Sequence, residues 1–558
     1  MIKICFIGAG STIFAKNLIG DILLHKEIGE VHLVLHDIDE ERLATSKVVA
    51  ERIIDLVGKP TTRLTSTLDR KEAIKNANYV IMMMQIGGYK PGTVRDFAIP
   101  KKYGLRQTIA DTLGIGGIMR AQRTIPVFLD MCRDIIEGAP DALVINYVNP
   151  MAMLLWAAKN VYPDLKILGL CHSVQLTVKE LGEDLNIKPA NIGHYCAGIN
   201  HMAFYLKLFE TSSATSSETL SETSSLSRSA EGVDLYPKLR DIAVRGAFPK
   251  TNKVRYDMFE KLGYFVTESS EHFSEYVPWY IKKDRPDLIE KFNIPLDEYI
   301  TRCEQQLTDW KTLKKDFEDP STDLIVEPSD EVAAKIIAAL TGGTAITINA
   351  NLPNQQPNKE LLITNLPENC IVEVPCYIGG TKMGKNEINR SEVRDSKAGN
   401  NKFGDSKARN SEIGNRNLGN SEIGNRNLGN SEIENRNLGN NKFGDSKARN
   451  SEIENGNLGN NGIGNNETWS NRDREFGKIA GVVPRVIGDL PPHLAALMRT
   501  NINVQELAVI AALEKKKDYL YYAAMMDPHT SSELALDDIY RLVDEMVDSH
   551  ADYLPCYH

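Results

Sequence analysis

A cysteine and a histidine stand side by side in GLCHSVQ (169–175), where the apolar run LKILGL gives way to polar residues. The run predicts a buried strand, which puts Cys171 and His172 at its carboxyl end. In an open parallel sheet that edge is where ligands bind. A thiol and an imidazole there suit a metal site, a nucleophile, or only a packed core cysteine. Neighbouring side chains rarely share one ion, so a metal would need a second ligand from elsewhere. GHYCAGINHMAFYLKL (193–208) offers Cys196 and His201, the latter at the mouth of the alternating run MAFYLKL. A lone histidine so placed is more often a polar edge residue than a ligand.

The elements that must position these residues begin at the amino terminus. IKICFI (2–7) predicts a strand, GAGST a glycine turn, and IFAKNLIGDILLH a helix. Strand, glycine turn and helix together make an anion site, because free N–H groups at the helix start face a phosphate. Gly8 permits the tight turn and Gly10 the close approach of a pyrophosphate. Ser11 and Thr12 add hydroxyl donors and an N-cap. Ile13 stands where the third glycine of GxGxxG would fall. HLVLHDID (32–39) predicts the next strand and ends near Asp37, placed to accept hydrogen bonds from a ribose diol. An aspartate there favours NAD over NADP, since a 2′-phosphate would meet like charge. The competing reading makes Asp37 the cap of the following helix.

Further strands are predicted at YVIMMM (79–84), ALVINYV (142–148) and LKILGL (165–170), with helical stretches between them. Such alternation predicts a doubly wound parallel sheet of the Rossmann type. The loop QIGGYKPGTVRDF (85–97) is similar to the KPG…R segment of lactate and malate dehydrogenases, and should lie over a nicotinamide. VNP (148–150) carries Asn149, and the glycine-rich ADTLGIGGIMRAQR (110–123), read as a loop, carries Asp111. On composition alone that Asp/Gly stretch is more often a turn than a site.

With 558 residues the chain is too long for one ordinary core. A formal charge of −10, with no basic stretch against it, argues against nucleic acid. No signal peptide and no long uncharged apolar run are expected, which points to a cytoplasmic protein without membrane association. The eight cysteines are scattered without CxxC pairs, several within apolar runs, which suits a reducing compartment.

Taken together, GAGSTIFAKN, QIGGYKPGTV, IADTLGIGGIMRAQRTIP, YVNPMAM, GLCHSVQ, CAGINHMAFYL and GYFVTESSEHFSEYVPWY resemble family 4 of the glycoside hydrolases, most of all its α-galactosidases. NLPENCIVEVPCY, LPPHLAALMRTNINVQELAV and YYAAMMDPHTSSELALDDIY extend the likeness to the carboxyl end. The resemblance implies a homodimer or homotetramer that binds NAD and a divalent metal, usually Mn2+, and acts on a small α-galactoside. It also implies an unusual reaction rather than the paired carboxylates of most glycosidases. In that reaction NAD⁺ takes hydride from C3, a base removes the acidified C2 proton, the aglycone leaves, water adds, and the hydride returns. By the same resemblance Cys171 and His201 are metal ligands, Tyr276 is the C2 base, and Asn149 and Asp111 line the sugar site. His172 stands where some relatives have an aspartate proposed as the general acid. Relatives acting on 6-phosphorylated sugars carry an arginine near the position of Thr93, so a non-phosphorylated hexoside is expected, although Arg95 is close. Leu176 replaces a glycine usual in α-galactosidases and would crowd the site or face outward.

The implied organisation is an α/β chain. A Rossmann domain over 1–185 is followed by an α+β substrate domain over 186–385 and 471–558. Two insertions interrupt it. The Ser/Thr-rich 211–232 predicts a disordered loop. In 386–470, SEIGNRNLGN and NKFGDSKARN recur over an apolar beat of five residues. That beat resembles pentapeptide-repeat β-helices. Arg416 and Arg426 would then be buried, and the Asn and Gly content favours disorder. Other readings are an α-glucosidase or hexuronidase of the same family, a 2-hydroxyacid dehydrogenase, and a non-enzymatic NAD-binding repeat protein.

Overall fold

Short apolar strands set the frame. The computed structural model describes residues 1–211, 232–379 and 481–558. The Ser/Thr-rich segment and the repeat, with the disorder expected of both, fall outside the described residues. Six strands run parallel: β1 (Ile2–Ile7), β2 (Val31–His36), β3 (Arg63–Thr67), β4 (Tyr79–Met82), β5 (Leu143–Asn146) and β6 (Ile167–Gly169). Their order is β3-β2-β1-β4-β5-β6, the Rossmann order. In β1 the run Ile4–Ile7 is wholly buried, as expected of a strand covered on both faces.

The expected parallel sheet is therefore present, with some differences. β3 has no counterpart in the sequence reading, because RLTST is a half-buried edge strand without an apolar run. The first predicted strand, 2–7, has the expected bounds, but others are shorter: the run read as 79–84 ends at Met82, 142–148 narrows to 143–146, and 165–170 to 167–169. The glycine-rich 110–123 is a loop only to Leu113. From Gly114 it is a 25-residue helix, Gly114–Gly138. Its glycines serve packing: a Cβ on Gly117 would lie 2.6 Å from the Thr112 carbonyl carbon, so the helix start closes tightly on the Asp111 loop. The end of 85–97 is also helical, within Val94–Lys102.

The sheet does not stop at β6. It continues through β10 (Ile346–Pro353), β11 (Ile371–Ile378), β7 (Ile192–Ile199), β8 (Met202–Glu210) and β9 (Val233–Asp234), with β12 (Val482–Pro484) beside β11. These added pairings are antiparallel. The hairpin β7–β8 turns at Asn200–His201, which delivers His201 to the carboxyl edge of the parallel strands. No helix among the described residues is long and apolar enough to cross a membrane.

Candidate active site

The nucleotide turn is built from contacts that tolerate no Cβ. Gly8 has φ +93°, and a Cβ there would lie 2.8 Å from the Met84 amide nitrogen. A Cβ on Gly10 would lie 2.7 Å from Asp37 Oδ2, the atom that accepts the Gly10 N–H at 2.7 Å. Asp37 is thus fixed against the turn. The following helix, Glu40–Val57, is capped by Asp39, which accepts from the Arg42 N–H at 3.0 Å, so the capping role belongs to Asp39 rather than Asp37. Ser11 precedes the helix Thr12–Leu24 and makes no side-chain cap, leaving the first amides of that helix free of one. The Thr12 hydroxyl, expected as a donor to cofactor, is buried and paired with Ser46 Oγ at 2.8 Å. Ile13, in place of the third glycine, is 45% exposed. A glycine cradle, uncapped helix amides and an adjacent carboxylate fit a dinucleotide.

Two strand ends, the loop before Gly114, the β7–β8 turn and the segment around the helix Ser270–Tyr276 bring the remaining residues together. Cys171 follows β6 and is buried; its Sγ accepts the Ser173 N–H at 3.4 Å, at the start of the helix Ser173–Leu185. His201 holds a left-handed backbone, φ +62°, a strained choice for a non-glycine residue that positions its ring. Ligand atoms of Cys171, His201 and Glu268 all lie within 4.8 Å of one another, and so do those of Asp111, His201 and His272. Cys196, the other sequence candidate, is buried with a thiol pushed well above its usual range by burial.

Asp111 accepts from Thr112 Oγ1 at 2.8 Å and from Asn149 Nδ2 at 3.0 Å. Arg120 Nε donates to the Asn149 carbonyl at 3.3 Å. Tyr276 is fully buried, with Oη 3.3 Å from His201 Nδ1, whose other partner is Thr112 Oγ1 at 3.0 Å. The helix Ser270–Tyr276 is clamped to the Asp111 loop by Glu275, which accepts the N–H groups of Thr108, Ile109 and Ala110 at 2.8, 3.2 and 2.8 Å.

Electrostatics mark the cluster as a place for positive charge. Burial, then Glu268 and Glu373, push the Cys171 thiol well above its usual range. Burial, then Asp111, Glu275 and Glu268, do the same to the Tyr276 phenol. Burial outweighs Glu268 in holding His201 below its usual value, so its imidazole is neutral and able to coordinate. For His272 the balance reverses: burial lowers it, but Glu268 and Asp111 raise it further. Thiol, neutral imidazole and carboxylate form a mixed donor set that suits a divalent first-row ion.

His172 stands at the edge of this group, close enough to act on Glu268 and His201. Its side chain is 51% exposed, with Nδ1 3.5 Å from Glu331, whose carboxylate raises the imidazole above its usual range. Leu176 is 36% exposed and faces outward. The Thr93 hydroxyl turns inward and accepts from Gln85 Nε2 at 3.0 Å. Sequence reasoning misses Glu268 and His272, although with Tyr276 they step by four along TESSEHFSEY; the helix itself begins at Ser270, so Glu268 stands just before it.

Comparison with known proteins agrees with the architecture. The model described as "Family 4 glycosyl hydrolase" matches residues 3–187, and that of the "Family 4 glycosyl hydrolase C-terminal domain" matches 196–395 and 478–530. An α-galactosidase of Bacillus subtilis is 37% identical over 558 residues, covering all of both chains. An α-galactosidase of Rhizobium meliloti is 34% identical over 387 residues, 67% of this chain and 73% of that one. Among solved structures, a 6-phospho-α-glucosidase from gut microorganisms in complex with NAD and Mn2+ superposes with a TM-score of 0.68. It is 16% identical and matched over the whole of both chains.

Proposed function

The chain belongs to family 4 of the glycosyl hydrolases, and on that footing we propose that it hydrolyses terminal α-D-galactosides. The observation that carries this specificity is the 37% identity to an α-galactosidase over the full length of both chains.

In this reading the Gly8–Thr12 turn holds the pyrophosphate of NAD on backbone amides, and Asp37 takes the ribose diol. Cys171 and His201 hold the divalent ion, Mn2+ by the family resemblance, with the Glu268 carboxylate as a third donor within reach. When bound, the nicotinamide supplies a reversible hydride acceptor for C3 of the sugar, and the ion supplies Lewis acidity at its oxygens. Asp111 and Asn149, locked together at 3.0 Å, orient the sugar hydroxyls. Tyr276 is the base for the C2 proton. Its phenolate must form beside Asp111, Glu275 and Glu268, so cationic charge at the cluster, His272 included, is what brings it within reach. His172 is the acid for the leaving oxygen: its exposure suits the side where the aglycone departs, and Glu331 keeps the imidazolium charged.

A panel of p-nitrophenyl glycosides, assayed with NAD⁺, Mn2+ and a thiol reductant, tests the specificity. The α-galactoside should exceed the α-glucoside and the α-galacturonide in kcat/KM by about tenfold or more. Preference for either of the others would replace α-galactosidase with that activity.

A further inference from the structure

Behind the cluster, where the parallel and antiparallel parts of the sheet meet, lies a polar group that none of these roles uses. Gly169 of β6, Asn351 of β10, Glu373 of β11 and Gly198 of β7 stand in one row across four strands. Asn351 and Glu373 are direct cross-strand partners, so their side chains project from the same face. Both are 0% exposed, as is Asn200, which precedes His201. The carboxylate oxygens of Glu373 and both amide atoms of Asn200 and of Asn351 make no hydrogen bond of good geometry among the described residues, although the Asn200 amide lies close enough to favour the Glu373 carboxylate. Burial, then the Glu268 anion, push the Glu373 carboxyl up to about 8, and Glu373 acts in turn on Cys171.

A carboxylate taken wholly out of water without a partner is strongly unfavourable. The same carboxylate beside a divalent cation is favourable, because Coulomb attraction is weakly screened in the interior. Glu373 is not one of the groups whose ligand atoms converge within 4.8 Å, so it acts from behind the donors.

We propose that Glu373 is a positioning residue for the metal, a buried counter-charge that holds the divalent ion against Cys171, His201 and Glu268. Asn200 and Asn351 flank it and orient its carboxylate. The inference rests on the metal reading given above.

The test is Mn2+ affinity of the full chain, stripped by chelation and titrated back, read from the electron paramagnetic resonance signal of free Mn2+. Glu373→Gln should raise the Kd for Mn2+ by about 10–100-fold, the range seen when groups behind metal ligands are changed. Glu373→Asp keeps the charge and should restore most of that affinity. NAD⁺ affinity should stay at the parent value in both. Without a cation Glu373 keeps its proton near neutral pH, so Glu373→Gln should leave the Tm of the metal-free protein near the parent value, while the Tm increment from saturating Mn2+ shrinks. Loss of packing would lower the first of these. Parent-like Mn2+ affinity in Glu373→Gln, an equal loss in Glu373→Asp, or a Glu373→Gln chain that does not fold would each overturn the proposal. A parent chain that binds NAD⁺ but no Mn2+ would instead overturn the metal reading itself.

Discussion

Tyr276→Phe should lower kcat for α-galactoside hydrolysis by about 10²–10⁴-fold, the usual contribution of a positioned proton-transfer group. The substitution removes one oxygen and leaves the ring, so the fully buried site keeps its shape. His201 loses the contact at 3.3 Å but retains Thr112 at 3.0 Å, which preserves its orientation. Binding of Mn2+ and NAD⁺ should therefore be unchanged, and KM should move little beside kcat. Steady-state kinetics with metal and NAD⁺ titrations on the same preparation separate these quantities. A variant with parent-like kcat would remove Tyr276 from the reaction.

Cys171→Ser should abolish tight Mn2+ binding and lower activity by about 10³-fold. Lewis-acid stabilisation is worth several kcal/mol, and each 1.36 kcal/mol is a factor of ten. The Cys171 sulfur is one of the three donors that meet within 4.8 Å, and its thiolate is the softest of them. NAD⁺ binding should survive, because Gly8, Gly10 and Asp37 belong to the ends of β1 and β2, three or more strands away along the sheet. Metal content by elemental analysis and NAD⁺ affinity by fluorescence make the comparison. Retained Mn2+ with parent activity would show that Cys171 only packs.

How much of this could be read from the sequence depends on whether a feature is local. The turn at Gly8–Gly10 and Asp37 was legible, because an apolar strand, a glycine turn and an acid after the second strand are each short-range signals. Cys171 and His201 stood out singly, but only the family resemblance joined them. A helix and a strand, residues 172–200, separate them, and the left-handed turn at His201 that closes the gap has no sequence signature. The stretch 110–123 reads as a loop because glycine usually breaks helices, whereas in the fold its glycines let a helix pack against the Asp111 loop. Glu268 and His272 carried a readable four-residue spacing that went unused. Glu373 carried none: within IVEVPC it looks like one polar residue on an apolar strand. Its neighbours Asn351 and Asn200 are set by register and by a hairpin, which are tertiary facts.

Breaking the glycosidic bond by removal of the hydrogen on C2 would leave its mark on the released sugar. An ordinary glycosidase passes through an oxocarbenium-like state and leaves that hydrogen in place. If Tyr276 takes the C2 proton, it can be exchanged with solvent before water adds at C1. Hydrolysis of an α-galactoside in D₂O, followed by proton NMR of the released sugar, should give galactose carrying deuterium at C2, with no net NADH formed. Product with a full C2–H signal would show that the C2–H bond stays intact and that bond cleavage does not pass through C2 deprotonation.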